Sequence, residues 1–272
     1  MRKFVTLTIE DGVEVRIRNG RENFATITSR ALIFDSGSSL VAKNVTFRAA
    51  NAANEPVNVA DNGGVFFCGG TRKAAKDDVA SMALAPTAAW SFQATCLVAN
   101  YLGRRDPKEG DRDGGTRDDI DAVSLIGVIA DEWKIPAVEI NYSGDDGFDL
   151  TDSDIEMERV KVIVPTEDGI NLSSSYLTIT KRLEVDMTDA KAPEDREIFD
   201  FEVDVGPSMI TVSRGAWVDI LGYWDSSPDD RRIYLRSLDM PPPYPPFERT
   251  LYAWKGDLVK GQAEIYSKTT RP

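Results

Sequence analysis

Apolar and polar residues alternate over short runs along much of this chain. In Val5-Thr6-Leu7-Thr8-Ile9, in Val13-Glu14-Val15-Arg16-Ile17 and in Leu177-Thr178-Ile179, every second side chain is apolar. A period of two marks a strand that turns one side inward. The pattern predicts strands over 5–9 and 13–17, with Asp11-Gly12 as the turn between them, and it continues through 25–34 and 39–47. Val65-Phe66-Phe67-Cys68 reads as a short buried strand. Further strands are predicted at 97–102, 198–205, 209–212 and 216–221. Residues 74–88, rich in alanine, have weak helical character.

The alternation is organised by a repeat. Asp121-Ala122-Val123-Ser124-Leu125 is followed by Asp146-Gly147-Phe148-Asp149-Leu150 and then by Asp168-Gly169-Ile170-Asn171-Leu172. The phrases stand 25 residues apart (121 to 146) and then 22 (146 to 168). Each reads acidic, small, apolar, polar, leucine. Downstream, Ser153-Asp154-Ile155-Glu156-Met157 is echoed by Ser175-Tyr176-Leu177-Thr178-Ile179, and Arg159-Val160-Lys161-Val162 by Arg182-Leu183-Glu184-Val185 with one residue of slip. A repeat of this length implies stacked units that share a core. A helical solenoid needs ten or more residues at 3.6 spacing per unit, and the repeat lacks them. The leucine-rich-repeat pattern is also missing. What remains is an all-β parallel β-helix of one domain over 1–272. It carries an irregular excursion at about 69–118 and a less regular aromatic and proline-rich part at about 186–272. Leu125, Leu150 and Leu172 should form one inward ladder, Asp121, Asp146 and Asp168 a corner ladder, and Ser124, Asp149 and Asn171 an outward one.

This stretch resembles the pectin lyase-like superfamily of right-handed parallel β-helices. Gly144-Asp145-Asp146-Gly147-Phe148 is similar to the paired-aspartate turn of polygalacturonase-type glycoside hydrolases. Arg117-Asp118-Asp119-Ile120-Asp121, one coil earlier, is loosely similar to their Asn-Thr-Asp turn. The likeness covers about a quarter of the chain. It implies that Asp121, Asp145 and Asp146 match the family's three acids, with one of the pair at 145–146 protonating the leaving oxygen and the others activating water. The chain departs from the family on the next coil, where Glu167-Asp168-Gly169 stands in place of a Gly-His-Gly turn. The family's Arg-x-Lys clamp also lacks a counterpart, since Lys181-Arg182 is too close.

Composition narrows the chemistry. The chain has no histidine, which excludes Ser-His-Asp and Cys-His triads and histidine zinc sites. Its net charge of −13 argues against nucleic acid and anionic membrane surfaces as partners. It argues equally against a strongly acidic polysaccharide. No apolar run approaches the ~18–20 residues of a membrane span, and the opening Met1-Arg2-Lys3-Phe4-Val5-Thr6 lacks the apolar core of a secretory signal. The compartment stays open, with an extracellular or surface location expected if the chain is part of a longer exported protein. Cys68 and Cys96 make one bridge or two buried thiols.

The acids of the repeat are the candidate site. Carboxylates on successive coils, about 4.8 Å apart, raise one another's pKa, as a general acid near neutral pH requires. Candidate catalytic residues are Asp121, Asp145 and Asp146. Candidate substrate contacts are Asp149, Asp168, Asn171, Lys181 and Trp224. Asp121, Asp146 and Asp168 are also candidate ligands for Ca2+, which a calcium-dependent polysaccharide lyase would need. The same Asp-Gly pairs equally suit plain turn chemistry. The aromatic residues after Trp217 could stack on sugar rings. The leading expectation is a carbohydrate-directed module that binds or cleaves a glycan by Asp-based hydrolysis. The alternatives are a non-catalytic structural or adhesive segment of a larger surface protein, associating through an open β-helix end, and the lyase.

Overall fold

The computed structural model describes residues 5–18, 31–60, 63–70, 90–104, 120–187, 197–202, 208–213, 216–224, 234–237 and 257–260, of which 221–224, 234–237 and 257–260 are described by backbone alone. The weak helical stretch at 74–88, the charged stretch from 105 to Asp119, the loop around Pro193 and the proline-rich 240–246 lie outside these residues. Among the described residues every regular element is a strand.

The strands form three sheets. The first contains β1 (Thr6–Ile9), β4 (Ser39–Ala42), β7 (Phe92–Gln93) and β10 (Trp133–Lys134). The second contains β2 (Glu14–Arg18), β5 (Asn44–Ala50), β8 (Cys96–Asn100), β11 (Ala137–Asn141), β13 (Asp154–Ile163), β15 (Tyr176–Asp186), β17 (Met209–Val212) and β19 (Tyr234–Ser237). The third contains β3 (Leu32–Phe34), β6 (Val65–Cys68), β9 (Val123–Ile126), β12 (Phe148–Thr151), β14 (Ile170–Ser173) and β16 (Phe199–Glu202). The chain visits first, second and third sheet in turn and then begins again, so each strand pairs in parallel with its counterpart one coil away. This all-β arrangement of many-stranded parallel sheets is consistent with a β-solenoid-like class. In β13 and β15 one long strand replaces the first-sheet and second-sheet pair. β18 (Trp217–Trp224) pairs with the second half of β15, and β20 (Asp257–Lys260) pairs antiparallel with β18.

The register reproduces the repeat. Val123 pairs with Phe148 and Phe148 with Ile170, the same steps of 25 and 22. The one-residue slip is an irregularity between Met157 and Arg159, after which Arg159 faces Arg182. Leu125, Leu150 and Leu172 stack as one inward ladder, which continues to Phe67 and Phe34 on one side and Phe201 on the other. All six side chains are buried, and each stabilises the fold by about 1.5–3 kcal/mol through burial. Phe34 and Phe67 lie face to face at 4.9 Å, and Phe92 and Trp133 meet Phe67 edge-on at 5.0 and 5.2 Å.

The glycines of the second and third phrases have a steric cause. A Cβ on Gly147 would meet Val162 Cγ1 and lie 2.6 Å from the carbonyl oxygen of Gly169, while one on Gly169 would lie 2.5 Å from that of Ile198. Coils approach too closely there for a larger side chain. The corners also repeat. Gly127, Asp152 and Ser174 follow third-sheet strands with φ of 64°, 49° and 51°, and Tyr101, Tyr142 and Val164 follow second-sheet strands with φ of 57°, 61° and 50°. Left-handed backbone at one residue turns the chain sharply from sheet to sheet.

A buried serine stack closes the corner after the third sheet. Ser153 Oγ accepts the N–H of Val128 at 3.1 Å, Ser175 Oγ that of Ser153 at 2.9 Å, and Ser208 Oγ that of Ser175 at 3.3 Å. The same hydroxyls donate to Leu125 O, Leu150 O and Leu172 O. Each serine thus satisfies backbone groups that the turn takes out of the sheet ladder. Neither cysteine is in a disulfide; Cys68 is buried and Cys96 half-buried.

Candidate functional site

The acids gather where the chain passes from the second sheet to the third. Tyr142 ends β11 and turns the backbone; Ser143-Gly144-Asp145-Asp146 then crosses to β12. One coil later, Val164 to Asp168 makes the same crossing between β13 and β14. The two crossings are pinned together. Ser143 O accepts the N–H and the hydroxyl of Thr166, at 3.0 and 2.7 Å, and Asp145 O accepts the N–H of Glu167 at 3.4 Å. Ser143 Oγ donates to Asp146 O at 2.5 Å and accepts the N–H of Asp145 at 3.3 Å. On the preceding coil, Leu102 O accepts the N–H of Gly144 at 2.8 Å. Asp145 therefore stacks on Glu167, and Asp146 on Asp168.

The corner ladder of Asp121, Asp146 and Asp168 exists as predicted. Ala122 N–H donates to Asp146 O and Gly147 N–H to Asp168 O, so the three occupy equivalent places. Glu197 extends the ladder, since Gly169 N–H donates to its carbonyl. The side chains use this position for turn chemistry. Asp146 Oδ1 accepts the N–H of Asp168 at 2.9 Å, and Asp168 Oδ1 accepts that of Glu197 at 2.5 Å. Asn171 Nδ2 donates to Asp146 Oδ2 at 3.2 Å, and Ser124 Oγ donates to Asp121 Oδ2 at 2.8 Å.

Three carboxyls converge more tightly than the ladder does. Asp145, Asp146 and Glu167 each place an oxygen within 4.8 Å of the others. Asp121 and Asp168 are outside this trio, and Glu167, absent from the sequence-based candidates, is in it. Glu167 precedes Asp168 as Asp145 precedes Asp146, so the 22-residue step of the repeat puts these two acids on successive coils. Asp145 is 4% exposed and Asp146 7%. Burial pushes the Asp145 carboxyl up to about 12, helped by the facing Glu167 carboxyl and by Asp146 and Asp121. Burial, then the charge of Asp121, raises Asp146 well above the usual carboxylate range, against the pull of the Asp168 N–H.

The remaining candidates divide. Ser124, Asp149 and Asn171 lie in register on the side of the third sheet away from the core, extended by Phe66 and Asp200. The alternation predicted this direction but not the exposure: Ser124 is fully buried and Asp149 is 9% exposed. Burial, with Asp121, Asp146 and Glu202, raises the Asp149 carboxyl, and burial, with Asp146, Glu197 and Asp200, raises that of Asp168. The acids of this edge therefore form one interacting field. Lys181 is placed elsewhere, in β15 of the second sheet, paired with Glu158 at 2.7 Å. Trp224 ends β18, in backbone pairing with Asp257. Arg104, at the start of the charged excursion, is buried, and its backbone bridges to Ile120 in both directions at 2.7 and 2.9 Å. That bridge closes the base of the excursion one residue before Asp121.

Chemically, such a cluster can share protons between carboxyls or hold a hard cation. Two carboxyl oxygens within 4.8 Å are closer than the roughly 6.5–9.5 Å that leaves room for an attacking water in inverting hydrolysis. No helix of the described residues is long and apolar enough to cross a membrane. Comparison with protein-family models, with curated proteins and with solved structures gives no match to this chain.

Proposed function

We propose that this chain is a right-handed parallel β-helix module directed at a neutral or weakly charged glycan, with the edge from Asp121 through Asp145 and Asp146 to Asp149 as its chemical centre. The observation that carries this reading is the convergence of the Asp145, Asp146 and Glu167 carboxyls within 4.8 Å of one another. Asp145 is pushed up to about 12, while Asp121 is only partly buried and holds a hydrogen bond from Ser124. Acids whose environments separate their proton affinities are what acid-base hydrolysis of a glycosidic bond uses. Carboxylates and the Asn171 amide are also natural partners for sugar hydroxyls. The net charge of −13 favours a neutral ligand over a polyanion.

The test is a panel of neutral and weakly charged polysaccharides, read by affinity electrophoresis and by release of reducing ends. On this reading the wild type retards on at least one glycan, and Asp121→Asn and Asp146→Asn abolish cleavage without unfolding the chain. Cleavage unaffected by both substitutions and by Asp145→Asn would remove the catalytic part of the proposal.

A second reading, a non-catalytic structural or adhesive segment, is favoured by the way Asp146 and Asp168 commit oxygens to backbone N–H groups of the next coil. It predicts no glycan retardation and an unchanged surface in all three variants.

A further inference from the structure

We propose that Asp145, Asp146 and Glu167 bind a divalent cation of the Ca2+ type, which clamps two successive coils at the corner before the third sheet. This inference does not rest on the glycan reading. The three carboxyls offer oxygens within 4.8 Å of one another. They come from two coils, since Asp145 and Asp146 precede β12 while Glu167 precedes β14. The second observation is a buried oxygen with nothing to satisfy it. Asp145 is 4% exposed, and its Oδ1 is buried without a hydrogen-bond partner. Buried carboxylate oxygens are costly unless they are hydrogen-bonded, paired or bound to a metal. The side-chain partner this carboxyl has is another carboxyl, Glu167, and two carboxyls can meet only across a proton or a cation.

The donor set decides the class of ion. It is all oxygen, the chain has no histidine, and the thiol sulfurs lie on other strands, Cys68 in β6 and Cys96 in β8. Oxygen ligands select hard cations. Ca2+ accepts irregular and bidentate carboxylate geometry, whereas Mg2+ demands near-octahedral ligands and keeps its waters. A corner whose ligands are fixed by coil stacking, with two of them at most 7% exposed, suits the less demanding ion. The backbone is prepared for it. Thr166 and Glu167 donate to Ser143 O and Asp145 O, so the two coils are already in register when the ion arrives. The role is a structural clamp, because the ligands come from two successive coils and the ion ties them together.

The experiment is a thermal melt of the EDTA-stripped chain, titrated with CaCl2 and separately with MgCl2 to low-millimolar concentration. The variants are Asp145→Asn, Glu167→Gln and, as an exposed control with the same charge change, Glu156→Gln. The proposal expects Ca2+ to raise the Tm of the wild type and of Glu156→Gln by roughly 5–10 °C near saturation, with a smaller effect of Mg2+. Asp145→Asn and Glu167→Gln should lose the shift. Glu167 is only half-buried, so its amide variant remains informative if Asp145→Asn fails to fold. A wild-type Tm indifferent to both ions overturns the proposal, as does a Ca2+ shift that persists in both cluster variants. The glycan panel is read separately, so loss of the ion site and loss of glycan binding are distinguishable.

Discussion

Asp146 Oδ1 accepts the backbone N–H of Asp168 at 2.9 Å, from the equivalent corner one coil earlier. The contact ties the acidic position of one phrase to the backbone of the next. Asp168 repeats it on Glu197. Asp146→Ala should therefore cost more than its loss of charge suggests, since it leaves a buried N–H unsatisfied, about 1–3 kcal/mol. Asp146→Asn, whose amide oxygen can still accept, should cost less. Urea denaturation of the two variants separates them.

The serine stack makes a sharper prediction. Ser175 Oγ accepts the N–H of Ser153 and donates to Leu150 O at 2.8 Å, within a fully buried corner. Ser175→Ala removes both bonds, together with the shared donation to Ser173 O at 2.9 Å. The expected loss is about 1–3 kcal/mol, read as a lower urea midpoint at unchanged m-value.

Packing along the leucine ladder should dominate over surface ion pairs. Leu150 is fully buried between Leu125 and Leu172, so Leu150→Ala should cost about 2–5 kcal/mol. Lys181, exposed and paired with Glu158, should cost under about 1 kcal/mol when replaced by alanine. At Gly147, alanine would drive a Cβ toward Val162 and within 2.6 Å of Gly169 O, for about 1–3 kcal/mol of overpacking strain. Equilibrium unfolding of the three variants orders them.

The architecture was legible because stacking repeats chemistry as well as geometry. The acidic-small-apolar-polar-leucine phrase records, in order, an N–H acceptor, a point of close coil approach, a core residue, an outward residue and a second core residue. Even the slip at Arg182 is present in the register. What stayed hidden depends on neighbours distant in sequence. Alternation tells which way Ser124 and Asp149 point, but not that both are covered. The repeat places Glu167 one coil after Asp145, but not how close their carboxyls come, which the pinning of Thr166 and Glu167 onto Ser143 and Asp145 fixes. Serines 153, 175 and 208 look like ordinary turn residues until their hydroxyls are seen to join one coil to the next. Lys181, a candidate substrate contact in sequence, has its partner Glu158 on the neighbouring strand.

Stability should depend on pH in the opposite sense to that of a protein held by salt bridges. Burial raises the carboxyls of Asp145, Asp146, Asp149, Asp168 and Glu132. A group raised in the fold holds its proton where the unfolded chain has released it, so the folded state binds more protons and stability falls as pH rises. In EDTA, the Tm should be highest in mild acid, near the ordinary carboxylate value of about 4, and decline toward pH 8. Asp149→Asn should flatten the decline and raise the Tm at the alkaline end. A Tm that rises with pH over this window contradicts the assignment.

The protonation of Asp145 is the point on which the site's chemistry turns, and its carboxyl carbon reports it directly. In EDTA-treated, uniformly 13C-labelled protein, a pH titration followed by carboxyl-detected NMR should show the Asp145 carbon at its protonated shift throughout neutral pH, with the Asp154 carbon, on an exposed residue of β13, as the reference. An Asp145 carbon that moves to its deprotonated shift below neutral pH would contradict the account, leaving the corner a turn with an ordinary carboxylate.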